Sequence, residues 1–149
     1  MGVKVIARNK KARFEYFLQE FYEAGIELKG SEIKSIRAGQ VSLAEAYVQV
    51  IDGKQAYLIN AHIAPYELAN RFNHDPSRTR RLLLHKKEIR NLWDDVRQKG
   101  MTIVPVQMYL KDGRAKLEIA IAKGKHNRDK RQEIRARDIE REMNRRERF

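Results

Sequence analysis

Phe14, Phe17, Leu18, Phe21 and Tyr22 stand at i, i+3, i+4, i+7 and i+8, the spacing that gives a helix one apolar stripe, and Gly25 follows as a stop. The pattern predicts a first helix. Its outer side would carry Tyr16 and Glu23 together, a ring and a carboxylate facing solvent. A carboxylate in a last turn opposes the helix dipole, so Glu23 reads either as an acceptor for a partner's hydrogen bond or as a tolerated surface group. Ser31 can cap a short helix over 31–37, ending before Gly39. Residues 47–51 and 55–63 read as two strands joined across Asp52-Gly53. Pro65 and Asp75-Pro76 punctuate a long polar connection, and 82–84 reads as a short buried strand leaving the arginine cluster Arg78, Arg80 and Arg81. Ile89, Leu92, Trp93 and Val96 repeat the helical spacing before Gly100, which predicts a second long helix.

Val104, Val106, Met108 and Leu110 then alternate, as do Leu117, Ile119 and Ile121 beyond Asp112-Gly113, so a second hairpin is expected. Lys116 and Glu118 point away from its apolar face. Pro105 lacks a ladder donor and marks an edge or an irregularity. Short strands with few helices predict a mainly β fold, a closed or nearly closed antiparallel β-barrel with flanking α-helices, since closure protects sheet edges. A mixed α+β arrangement is the alternative. From residue 123 the pattern fades: 123–149 holds eleven basic residues and only Ile134, Ala136, Ile139, Met143 and Phe149 as apolar ones, too few for a core. Arg137, Arg141, Arg145 and Arg148 recur at helical spacing, so this tail is expected to be largely unstructured alone and helical when docked on an anion.

Composition sharpens this picture. A length of 149 residues fits one domain, and 42% hydrophobic content supports a single core beneath a surface rich in charge. The expected division is a basic N-terminal segment (1–13), a barrel domain (14–122) and a basic C-terminal tail (123–149). Lys and Arg number 32 against 20 Asp and Glu, a net charge of +12. Residues 1–13 carry five basic and no acidic groups, 71–90 carry seven against two, and 123–149 carry eleven against six. A nearly neutral body with basic extensions fits a nucleic-acid footprint in which Lys and Arg release counterions from phosphates; a solubilising surface is the other reading. There is no Cys, which excludes disulfides, thiolate catalysis and cysteine zinc sites. Neither an apolar run of membrane-spanning length nor a signal-peptide core is present, so a soluble, cytoplasmic protein is expected.

No catalytic constellation emerges. Ser31 and Lys34 match S-x-x-K, but its S-D-N and K-T-G companions are absent, and a helix cap is the simpler reading. His62, His74, His85 and His126 are never three to five residues apart, so they offer no helical or finger-type metal pair. Asp94 and Asp95, adjacent on a helix, diverge by about 100°. Neither a Gly-rich phosphate loop nor G-x-S-x-G is found. The expectation is no enzyme, no metal and no cofactor.

The stretches Asn9-Lys10-Lys11-Ala12-Arg13, Tyr22-Glu23-Ala24-Gly25-Ile26, Gly30-Ser31-Glu32-Ile33-Lys34-Ser35-Ile36-Arg37-Ala38-Gly39 and Asp75-Pro76-Ser77-Arg78-Thr79-Arg80-Arg81-Leu82-Leu83-Leu84 together resemble the small protein B family, the SsrA-binding proteins of bacteria. Asn60-Ala61-His62-Ile63, Ala122-Lys123-Gly124-Lys125 and Asp129-Lys130-Arg131 continue the likeness in order. The resemblance implies an oligonucleotide-binding (OB) type barrel that binds the tRNA-like domain of transfer-messenger RNA (tmRNA) and delivers it to stalled ribosomes for trans-translation. It implies a monomer with no membrane partner. The implied companions are the small-subunit decoding centre and mRNA channel, and elongation factor Tu with alanyl-tmRNA. By position the implied RNA-binding set is Asn9, Lys10, Tyr16, Glu23, Leu83, His85 and Lys116. The implied ribosome-binding tail set is Gly124, Lys125, His126, Arg128, Asp129, Lys130, Arg131, Arg137 and Arg141. Arg128 stands where relatives often have an aromatic or histidine, and Ile139 where they often carry Trp. Two other readings remain: a general OB-fold binder of single strands, which wants a row of exposed aromatics, and an RNA-processing enzyme, which needs a metal or acid/base cluster.

Overall fold

A computed structural model of the chain describes residues 2–66 and 74–124. Six antiparallel strands close a ring: β4 (Tyr47–Ile51), β5 (Gln55–Ile59), β7 (Arg80–Leu83), β2 (Tyr16–Ile26), β9 (Arg114–Gly124) and β8 (Thr102–Lys111), which returns to β4. One edge of β8 pairs along its length with β9; the other pairs with β4 at Ile103 and with β1 (Val3–Arg8) from Gln107 to Lys111. A small separate pair joins β3 (Val41–Ser42) to β6 (His62–Ile63). The helices are α1 (Lys10–Glu15), α2 (Gly30–Arg37) and α3 (Lys86–Lys99). The mainly β, antiparallel ring with flanking helices expected from the pattern is the architecture observed.

Leu58, Leu82, Ile103, Met108, Leu117, Ile119 and Ile121 fill the ring at 2% exposure or less, and α3 adds Ile89 and Leu92 to them. Burial of this set supplies the driving force. The second long helix lies where its spacing predicts it, closed by Gly100 in the left-handed conformation. Both tight turns also match: Asp52 and Gly53, and Asp112 and Gly113, all have positive φ, as primed hairpin turns require. At Gly53 a Cβ would approach Trp93 to 3.0 Å, so glycine serves both the turn and the docking of α3.

The first predicted helix is a correction. Only residues 10–15 are helical, and Tyr16–Ile26 is an eleven-residue strand. Phe14, Phe17 and Phe21, the supposed buried stripe, are 67%, 45% and 47% exposed. Aromatic and Ile side chains suit a pleated surface as well as a helix face, and β9 is available as a partner through the small Ala120 and Ala122. The ladder shifts between Leu18 and Phe21, where Gln19 and Glu20 stand opposite Ile121 alone. That bulge matters for parity. Tyr16 and Glu23 are an odd number of residues apart and would point to opposite faces of a regular strand; the extra residue brings both to the outer face, with Lys116 and Glu118. A second shift follows Pro105, at the irregularity its missing donor predicts.

Three smaller expectations also change. Residues 2–13 of the expected basic extension are β1 and most of α1, with Lys4, Arg8, Lys10, Lys11 and Arg13 left exposed. Lys123 and Gly124 extend β9 rather than begin the tail. Ser31 lies inside α2, whose cap is Lys29; its hydroxyl meets His74 Nδ1 at 2.8 Å, while Glu32 Oε1 accepts from the Lys29 N–H at 2.8 Å.

The arginine cluster is only partly a surface feature. Arg80 has no exposed side-chain area; its Nε donates to Glu32 Oε2 at 2.8 Å and its guanidinium also reaches the carbonyls of Ala61 (2.9 Å) and Pro76 (3.1 Å). Arg78 donates to the other Glu32 oxygen at 2.7 Å. Burial alone would raise the Glu32 carboxyl, but hydrogen bonds from Arg78, the Lys29 N–H and Arg80 outweigh it and hold the group at about 2. The network ties α2 to β7 and to the chain between β5 and β6. Removing one member strands buried charge, so Glu32→Gln is expected to cost about 3–5 kcal/mol in urea unfolding at neutral pH. Because the folded value lies below the ordinary 4.5, this contribution is complete above that pH and disappears as pH falls through about 2. Stabilities of the two proteins measured down that range should therefore converge.

Candidate nucleic-acid interface

The site is built on the outer face of β7, β2, β9 and β8. Pairing aligns Leu83 with Gly25, Gly25 with Lys116 and Lys116 with Tyr109, a single row across four strands. In the next row Glu23 faces Glu118, and Glu118 faces Gln107. Gly25 keeps the middle of the first row low: a Cβ there would sit 3.4 Å from Leu83 Cβ. Leu83 is 47% exposed, so the run expected as a buried strand alternates instead, with Leu82 inside and Leu83 outside.

A cleft runs over this row. Glu23, Leu83, His85 and Lys116, four of the seven residues implied as RNA-binding, line it together. Arg81, Lys54 on the β4–β5 turn, and Lys86 at the start of α3 add three cations that the sequence reading did not select. Arg81 belonged to a cluster visible in the sequence and Lys86 directly follows His85, whereas Lys54 comes near only through the ring closure. Four Lys or Arg against two carboxylates, Glu23 and Glu88, leave the cleft basic. Its lining contains no Phe, Tyr or Trp.

Glu23 is not a poorly placed helix residue, as the predicted first helix required. On its strand it accepts a hydrogen bond from the Tyr109 hydroxyl through Oε2, and Lys111 Nζ lies 3.6 Å from the same oxygen. The Tyr109 bond lowers the Glu23 carboxyl first, slight burial opposes it, and the charges of Lys111 and Lys116 lower it further. Burial and the same bond keep the Tyr109 phenol protonated well above its ordinary value. Sequence reading passed over Tyr109, although its place between Met108 and Leu110 already pointed it outward.

Tyr16, Lys10 and Asn9 lie at the other end of β2. Tyr16 is half-buried among Ala12, Leu18, Val104 and Ala122, and Lys10 is exposed in the first turn of α1. Asn9 differs from the implied surface set because it is 3% exposed. Its Oδ1 accepts from the Ala12 N–H at 3.0 Å, capping α1, and its Nδ2 donates to the carbonyls of Pro105 at 2.8 Å and Leu43 at 3.1 Å. The amide therefore fastens α1 to β8 and to the chain before β4. Neither the cap nor the distant bonds were part of the sequence reading. Gly124, the first of the implied tail set, ends β9 opposite Tyr16. Lys125, His126, Arg128, Asp129, Lys130, Arg131, Arg137 and Arg141 lie outside the described residues.

Among the described residues no group of three His, Asp or Glu could hold a metal ion, and no helix is long and apolar enough to cross a membrane. A basic cleft on the outside of a closed strand ring has the charge to receive a polyanion. The family follows from comparison: a profile described as SmpB protein matches residues 6–148, and the chain belongs to that family. It is 51% identical over 140 residues to the SsrA-binding protein of Desulforudis audaxviator (strain MP104C), covering 94% of this chain and 91% of that one. Identity is 54% over 142 residues to the SsrA-binding protein of Symbiobacterium thermophilum (strain DSM 24528 / JCM 14929 / IAM 14863 / T), with 95% and 89% covered. A solved structure described as "tmRNA-SmpB: a journey to the center of the bacterial ribosome" is similar with a TM-score of 0.67 and 48% identity, over 80% of this chain and 83% of that one.

Asn9→Ala removes a cap and two buried bonds, so it is expected to lower stability by about 2–3 kcal/mol. Chemical unfolding measures that loss, and the variant molecules that remain folded should bind polyanions as the parent does.

Proposed function

We propose that this chain is the tmRNA-binding protein of trans-translation: it binds the tRNA-like domain of tmRNA on the outer barrel face and brings it to ribosomes stalled without a usable stop codon. It is a bacterial binding protein, not an enzyme. The observation that carries the interface is the convergence of Glu23, Leu83, His85 and Lys116 on one basic cleft, in a chain matched to the SmpB family over 6–148. Lys116 and Arg81 meet phosphates, Glu23 accepts from a base or ribose donor, and Leu83 packs against sugar or base edges. Such a mixture of charge, shape and single hydrogen bonds suits folded RNA. Tyr16 and Lys10 extend the contact towards α1. We read the ring as an OB-type barrel, acting as a monomer in the cytoplasm.

The tail supplies the second contact. Residues 125–149, with Gly124 as their root, enter the vacant mRNA channel beyond the decoding centre, where Asp129, Lys130 and Arg131 engage the ribosome and the Arg-rich stretch becomes helical. Elongation factor Tu carries the alanyl-tmRNA partner. A general single-strand binder would require stacking rings along its groove, and this cleft has none.

Gel shifts with a tRNA-like tmRNA fragment are expected to give nanomolar-class, salt-weakened binding, well above that for an unstructured RNA of equal length; equal affinities would refute a dedicated partner. Lys116→Ala should lower affinity roughly fivefold and flatten the salt slope by about one contact. Deleting residues 125–149 should leave this binding nearly intact while abolishing peptide tagging on stalled ribosomes. Loss of both activities would place the tail on the RNA-binding surface instead.

A further inference from the structure

Glu23 has one oxygen hydrogen-bonded and one without a hydrogen bond among the described residues. Oε2 takes the Tyr109 hydroxyl bond and lies near Lys111, whereas no hydrogen bond from the described residues reaches Oε1, and Glu23 itself lines the basic cleft. Tyr109 is only 8% exposed and its hydroxyl is spent on Glu23, so it offers RNA little of its own. Resting on the RNA-binding reading above, we infer that Tyr109 is a positioning residue for RNA recognition: by occupying Oε2 it presents Oε1 of Glu23 as a single fixed acceptor at the cleft. One acceptor suits one donor, a ribose 2′-hydroxyl or an exocyclic amine.

The surroundings support this assignment. Lys116 and Glu118 from β9, Tyr109 and Lys111 from β8, and Arg81, His85, Lys54, Lys86 and Glu88 of the cleft lining are the charged or titratable groups on this face with Glu23. Glu118, opposite Glu23 in the ladder, accepts from Gln107 Nε2 at 3.1 Å. In a basic cleft meant for phosphates, a fixed carboxylate repels a phosphate at one point and accepts a donor there, which makes it a register mark. A mobile Glu would satisfy itself on Lys116 or Arg81 and lose that meaning.

The test uses the full chain and the tRNA-like tmRNA fragment. Tyr109→Phe keeps the ring and removes the donor, and it should weaken binding about fivefold to tenfold at neutral pH. In a Glu23→Gln background the same change should add almost nothing. Binding by Tyr109→Phe should also begin to fail at a higher pH on acidification than binding by the parent, because losing the bond lets the Glu23 carboxyl rise. Fragments with single 2′-deoxy substitutions should reproduce the Glu23→Gln loss at one nucleotide if the donor is a hydroxyl; amine-lacking base analogues should do so if it is an amine. Parent-like affinity for Tyr109→Phe, or an equal further loss in the Glu23→Gln background, overturns the inference while the parent's binding stands. Absence of binding by the parent defeats the functional reading itself. Carboxyl titration of Glu23 in the unaltered protein by NMR gives a check that needs no variant: an ordinary glutamate value would also overturn the assignment.

Discussion

The buried Glu32 carboxylate and its two arginines are the constraint on which the rest of the fold depends. A charge without solvent is strongly unfavourable unless it is paired and hydrogen-bonded, and Glu32 meets Arg78, Arg80 and the Lys29 amide at once. These donors come from β7, from the chain just before it and from the residue that caps α2, and Arg80 continues to the carbonyls of Ala61 and Pro76. The effect is positional. With Arg80 held inside, β7 has one workable parity: Leu82 must enter the core and Leu83 must leave it. Gly25 then faces Leu83, α3 starts just after its cap His85, and the cleft acquires two of its walls.

The outer face owes its pattern to bulges. The extra residue at Gln19 and Glu20 lets Tyr16 and Glu23 share a face, and the shift after Pro105 sets Gln107 and Tyr109 beside Glu118 and Lys116. Bulges of this sort re-aim side chains at little cost because the ladder resumes on either side. Electrostatics on that face are uneven by construction. Lys54, Arg81, Lys86 and Lys116 draw in a polyanion at long range, whereas Glu23, kept ionised by Tyr109, sets one point where phosphate is unwelcome.

Local signals were readable wherever one short stretch carried the whole reason. The helix Lys86–Lys99 shows its stripe and its glycine cap, and both tight turns show Asp-Gly, so no distant partner was needed to see them. The stretch Tyr16–Ile26 failed for the opposite reason. Its rings fit a helical and a pleated surface alike, and β9, from the far end of the chain, decides between them. Arg78 and Arg80 belonged on paper to a basic footprint with Arg81, but charge counting cannot reveal that Glu32 claims two of the three. Asn9, implied as an RNA contact, is instead held by bonds to Leu43 and Pro105, from segments the local pattern cannot bring near. The motif resemblance, by contrast, needed no geometry and agreed with the family found by comparison.

By itself, the order of amino acids determined the excess of positive charge, the hairpin turns, the long amphipathic helix, the lack of thiol chemistry and the kinship of the chain, because each is written within a few neighbouring residues or in their sum. Only the tertiary structure decided which side chains share a surface. Facing depends on register and on bulges between strands far apart in the chain, and the bond joining Tyr109 to Glu23 spans 86 positions. A local period cannot encode such a contact; it exists once the ring has closed.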